Sequence, residues 1–149
     1  MKKIVATLCC AVLSIHAADI FELVGLLDKK ETASFKAKIV TPVDANSARE
    51  DNNKTILMYA CWVGNLDAVK HLIAQGADIN TGDSGGATAL HLAAWKDHND
   101  IALYLLEKGA SGSALSKEGM TPLDIAMMRE NHQLIEAIEK AAPKLKPLL

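Results

Sequence analysis

Apolar positions in the second half of this chain recur with a helical rather than a strand period. Leu57, Ala60 and Cys61 stand at helical spacing, and Leu66, Val69, Leu72 and Ile73 form a second stripe beyond Gly64-Asn65. Each set falls on one face of a helix, while Gly64-Asn65 can stop the first helix and cap the second. The order then returns: Leu90, Ala93 and Ala94 lead to Ile101, Leu105 and Leu106, closed by Gly109 as the earlier stripe is closed by Gly76. The predicted element is therefore a helix pair. Small alanines on the first helix let neighbouring pairs approach closely, and the leucines and isoleucines of the second fill the layer. Leu105 and Leu106 are expected to be buried between layers. Asp83-Ser84-Gly85-Gly86 and Ser116-Lys117-Glu118-Gly119 carry turn chemistry and predict projecting loops between pairs.

The return has a fixed interval. Thr55, Thr88 and Thr121 lie 33 residues apart, as do Ala60, Ala93 and Ala126, and Leu72, Leu105 and Ile138. A period of that length means stacked units, each too small to bury its apolar face alone. Such an array offers a continuous surface rather than a closed pocket, which suits a protein that holds another macromolecule.

Thr88-Ala89-Leu90-His91-Leu92-Ala93-Ala94 differs by one residue from the T-P-L-H-L-A-A phrase of the ankyrin family, and Thr121-Pro122-Leu123 restores the proline. Gly76-Ala77-Asp78-Ile79-Asn80 matches the G-A-D-V-N turn, and Gly109-Ala110-Ser111 begins it again. Over about residues 50 to 142 the chain resembles that family. It departs from the pattern at Met58 and Asp124, which replace the family's His, and at Asn53, which replaces the Gly before the first helix. The resemblance implies an all-α solenoid of helix-turn-helix units, with about four repeats once a degenerate N-terminal unit is counted. It also implies that His91 ties one repeat to the next by hydrogen bonds.

The ends read differently. Lys2 and Lys3 precede the uncharged run Ile4 to Ile15, followed by Ala17-Ala18-Asp19. That is the layout of a cleaved signal peptide over 1–17, and the run is shorter than the ~20 residues of a spanning helix. Leu8 before Cys9 does not suit a lipoprotein signal. Export to a bacterial periplasm, with no membrane insertion after cleavage, is the expectation. Residues 18–49 read as a capping repeat: Phe21, Leu23, Val24, Leu26 and Leu27 form one apolar helix, and Thr32 caps another through Phe35, Ala37 and Ile39. Val43-Asp44-Ala45-Asn46 echoes Ala77 to Asn80, offset by one residue. Full repeats are expected at 50–82 and 83–115, a C-terminal repeat at 116–142 and a tail at 143–149. Glu136, Glu139 and Lys140 give the last helix a polar outer face.

Composition narrows the function. Without Lys2 and Lys3 the chain carries 14 basic against 18 acidic residues, which gives no support for nucleic-acid binding. Cys61 would be the one remaining cysteine, so no intramolecular disulfide is expected. It occupies the place of Ala94 and Met127, where a small buried hydrophobe belongs. Asp97-His98-Asn99-Asp100 is read as a helix start capped by Asn99 or Asp100, because consecutive residues do not share a helix face. No phosphate loop, paired-cysteine motif or nucleophile elbow is present. The chain is expected to be no enzyme and to hold no cofactor.

The resemblance places partner contacts on the loop tips and on exposed residues of the first helices. In the loops these are Asp51, Asn52 and Lys54, then Ser84, then Lys117, Glu118 and Met120. On the helices they are Trp62 and Val63, Trp95 and Lys96, and Met128 and Arg129. Trp62 and Trp95 are 33 residues apart and should form a ladder that continues to Met128. Tryptophan concentrates binding energy because it covers much area with few rotatable bonds. Lys96 and Arg129 are read as rim charges. The expected partner is a protein bound by a monomer. The second reading is a redox, haem or metal accessory built on Cys61, Met58 and His71.

Overall fold

A computed structural model describes residues 16–142, with side chains described from Ile20 onward. The expected signal segment 1–17 and tail 143–149 fall almost wholly outside the described residues. Among those, nine helices follow one another: α1 (His16–Asp28), α2 (Thr32–Lys38), α3 (Pro42–Ala45), α4 (Ile56–Val63), α5 (Leu66–Ala74), α6 (Ala89–Trp95), α7 (Asn99–Glu107), α8 (Pro122–Met128) and α9 (His132–Ala141). The protein is an all-α repeat solenoid. Helices α1, α4, α6 and α8 stack in succession as an inner row, and α2, α5, α7 and α9 form an outer row behind them. The core lies between the rows: Leu57, Ala60, Leu72, Leu90, Ala93, Ile101 and Leu105 are buried.

Each helix pair turns in the same way. Gly64 ends α4 in the left-handed region at φ 83°, and Asn65 accepts from the N–H of Ala68 at 3.0 Å to start α5. One period on, Asp97 and Glu130 hold the same left-handed place at φ 56° and 54°. A Cβ costs something there, and only Gly64 escapes it. Asn53 likewise stands where Gly86 and Gly119 stand, with φ 54° against 76° for both glycines. Its departure from the family pattern is thus a substitution by the residue type that best tolerates the conformation.

Asparagines link the repeats. Asn46 donates to the carbonyl of Gly76 at 2.9 Å and accepts from the N–H of Asp78 at 2.7 Å. Asn80 does the same to Gly109 at 3.1 Å and Ser111 at 2.9 Å. The echo of Ala77–Asn80 in Val43–Asn46 therefore has a physical content, although Pro42–Ala45 is wound into the short helix α3.

Several local expectations are corrected. The residue before α7 is His98, and neither Asn99 nor Asp100 caps it: Asn99 instead joins a side-chain chain with Asn131 and Gln133. Glu31, not Thr32, precedes α2, and Thr32 Oγ1 accepts from Asn65 Nδ2 at 3.1 Å. Leu106 is half-buried while Leu105 is fully buried, because only Leu105 points between the rows. Phe21 is 63% exposed, with the Arg49 guanidinium 4.8 Å from its ring centre. Met127 is exposed although Cys61 and Ala94 at the matching places are buried, since among the described residues no further repeat covers α8.

Candidate functional site

The face built by the inner helices and their loops carries two apolar ladders. Tyr59, Leu92 and Ile125 form one at 33-residue steps, and Trp62, Trp95 and Met128 form the other three residues further along each helix. A three-residue offset places both on one side of a helix. Trp62 is 42% and Trp95 44% exposed, so more than half of each indole is covered. These residues therefore both pack and present a surface.

Loops close the face on one side. Each is a tight hairpin: Asp83 donates to Ala87 at 2.9 Å and Ser116 to Met120 at 2.9 Å. Neighbouring hairpins are joined in register, from the N–H of Ser84 to the carbonyl of Asn52 and from Lys117 to Gly85, both at 2.8 Å. His91 adds the deeper link. Its Nδ1 accepts from the Thr88 N–H at 3.0 Å, so its Nε2 carries the proton and donates to the Met120 carbonyl at 3.1 Å. Burial holds this imidazole below its ordinary titration range, against a smaller upward pull from Met120. The Nδ1 contact uses the only acceptor of the neutral ring, so protonation there would break it.

Asp124, in the place of His91, reproduces only half of this arrangement. Its carboxylate accepts from the N–H of Thr121 at 2.8 Å and reaches no later repeat. Those bonds with Thr121, from backbone first, hold its carboxyl below the usual carboxylate range. Met58 is buried and makes neither bond with its side chain, so the first two loops are joined by the Asn52–Ser84 backbone link without the histidine link that accompanies Gly85–Lys117.

Between the ladders and the loops lies a groove of about 320 Å³, with Trp62, Trp95, Leu92, Met120, Ser116 and Glu118 among its lining residues. A smaller hollow of about 60 Å³ continues it past Lys54, Met58, Tyr59 and Trp62. The groove gathers Trp62, Trp95, Glu118 and Met120 from the expected set, with Lys54 at its extension. Ser84 and Lys117 are exposed at the loop tips. Asp51 is tied to Arg49, whose Nε donates to it at 2.9 Å, and Asn52 Oδ1 accepts from the Lys54 N–H at 3.0 Å.

Other members of the set behave differently. Val63 lines a separate and more polar cleft with Lys30, Asn65 and Asp67. Arg129 is not a free rim charge: its Nε donates to Asp97 at 3.0 Å, and its Nη2 makes a shorter contact with the same oxygen. That hydrogen bond lowers the Asp97 titration and raises that of Arg129. Lys96 lies with its ammonium 4.5 Å from the centre of the Trp62 ring. Met128 is 63% exposed beyond the last loop.

Tyr59, Leu92 and Ile125 were missing from the expected set. Their signal was present in the same 33-residue step as the tryptophans, and their depth differs, with Ile125 buried and Tyr59 and Leu92 half-buried. The metal or haem reading gains no support. Cys61 is fully buried, and burial pushes its thiol far up, away from the thiolate a metal needs. His71 Nε2 is engaged by the Ile39 carbonyl at 2.7 Å. Among the described residues no group of three His, Cys, Asp or Glu side chains could hold a metal ion. None of their helices is long and apolar enough to cross a membrane.

A family model described as ankyrin repeats (3 copies) matches residues 8–115 and 85–144 of the chain. No curated protein matches it.

Proposed function

The chain belongs to the ankyrin-repeat family, whose members are generally protein–protein interaction modules, and on that premise we propose that this one is an exported binding module that holds a protein partner along its inner-helix and loop face. The observation that supports the reading best is the Trp62–Trp95 ladder, half open beside a groove of about 320 Å³. Large, rigid side chains that are exposed next to a concavity are the type on which interface energy concentrates. Repeat proteins of this kind are typically not enzymes, and no catalytic motif argues otherwise here.

Export rests on the Lys2-Lys3 start, the apolar run and the Ala17-Ala18 junction, with a bacterial periplasm as the compartment and a monomer as the state. Mass spectrometry of protein from the native host tests it: a chain beginning near Ala18 is expected, and an intact cytosolic Met1 species overturns it. The binding reading is tested by capture from the native compartment with wild-type protein and with Trp62→Ala/Trp95→Ala. The reading expects a captured protein that the folded double variant loses. Equal capture by both would contradict it.

A further inference from the structure

The two tryptophans are related by the repeat, yet their surroundings differ. Trp62 has a cation over its ring, the Lys96 ammonium at 4.5 Å from the ring centre. The repeat places Arg129 in the matching position for Trp95. Arg129 is instead turned to Asp97, to which its Nε donates at 3.0 Å. Among the described residues no cation stands over Trp95.

The groove beside Trp95 has an acidic lining, while the nearby cations, Lys96 over Trp62 and Lys54 in the adjoining hollow, lie toward Trp62. The ionised residues lining the groove are Asp83 and Glu118, and no Lys or Arg lines it. Asp83 Oδ1 accepts from the N–H groups of Gly85 at 2.9 Å and Ala87 at 3.0 Å, which fixes the carboxylate in place. Glu118 is exposed, and none of the ion pairs among the described residues engages it. An aromatic face beside carboxylates attracts a cation, and a planar guanidinium stacks on such a face most readily.

We propose that the groove beside Trp95 receives an arginine or lysine side chain of the partner, presented in a segment whose neighbouring apolar residues lie on Leu92 and Met120. The chain's own Lys96 on Trp62 is the internal counterpart of that contact. This assignment rests on the reading that the inner-helix face receives the partner, and it names the chemistry recognised there.

The test uses the full chain and two acetylated, amidated pentapeptides, Ser-Leu-Arg-Leu-Ser and its twin with uncharged citrulline in place of arginine. The indole N–H signals of Trp62 and Trp95 are followed by NMR. The arginine peptide is expected to shift the Trp95 signal saturably, with the citrulline twin at least about fivefold weaker. Glu118→Gln should weaken the arginine peptide and leave the citrulline twin unchanged. Lys96→Met should make the Trp62 signal respond as well, since the internal cation is gone. Both substituted residues are exposed, and circular dichroism checks that each variant folds.

Equal binding of the two peptides, a wild-type Trp62 response as strong as that of Trp95, or no response at either indole overturns the cation assignment. None of these touches the wider binding reading, which stands or falls with capture by the Trp62→Ala/Trp95→Ala variant.

Discussion

The middle repeat and the last one carry the same phrase in different settings. In the middle repeat His91 bonds both to its own turn and to the Met120 carbonyl of the next, and Ala94 is buried by α8. In the last repeat Asp124 bonds only to its own turn, and Met127 stands 50% exposed. Outer-row residues follow suit: Leu106 packs against the core where Glu139 faces water. A position that needs a small buried residue or a two-sided hydrogen bonder in mid-stack needs neither at the end. Much of a repeat's stability therefore belongs to its interfaces rather than to itself.

The largest effect that follows is at the fully buried Leu105. Leu105→Ala should cost about 2–5 kcal/mol in denaturant unfolding, and Ile135→Ala, half-buried in the last repeat, should cost clearly less. Equal losses would erase the contrast. His91→Met, which installs the Met58 side chain one repeat later, should cost about 1–3 kcal/mol by leaving the Thr88 N–H and Met120 carbonyl unpaired.

The same substitution has a pH signature. The folded His91 titrates below its unfolded value of about 6.5, so its contribution is complete above that pH and is lost as pH falls beneath it. Stability measured from pH 7 to 5 should decline less steeply in His91→Met than in wild type. Identical slopes would show that His91 is not the group responsible.

Truncating Trp62 or Trp95 should cost less than Leu105→Ala, about 1–2 kcal/mol each, because only part of each indole leaves water. A larger loss would make the tryptophans core residues first and binding residues second. The smallest effect is a gain. Glu130 holds φ 54° where Gly64 sits in the first full repeat, and Glu130→Gly should raise stability by about 1 kcal/mol or less. A loss at that position would mean that its side chain is held by something other than the turn.

The period made the helix pairs and the loops legible, because each is repeated and the repeats check one another, whereas the role of His91, which neither Met58 nor Asp124 repeats, came from the likeness of its phrase to the ankyrin pattern. What was not legible is where the repeat is broken. Nothing in the sequence around Arg129 distinguishes a free rim charge from a partner of Asp97, since both lie on exposed turns and their approach depends on how two repeats stack. Met127 was misplaced because its sequence neighbours match those of Ala94, while its burial depends on a following repeat. The Tyr59–Leu92–Ile125 ladder was not singled out, for periodicity gives a helix face but not the depth at which that face lies: Ile125 is buried, while Tyr59 and Leu92 are half-buried. The cap of α7 went to Asn99 or Asp100 by residue preference, whereas the stack draws Asn99 toward Gln133 and Asn131 and leaves His98 at the turn.

Native-state hydrogen exchange, read amide by amide, tests the dependence of each repeat on its neighbours most directly. The account predicts that amides in α6 and α7 exchange only through global unfolding, with their protection equal to the equilibrium stability, while those in α8 and α9 open at lower free energy. Protection that is uniform across these helices, or greater in α9 than in α7, would contradict it.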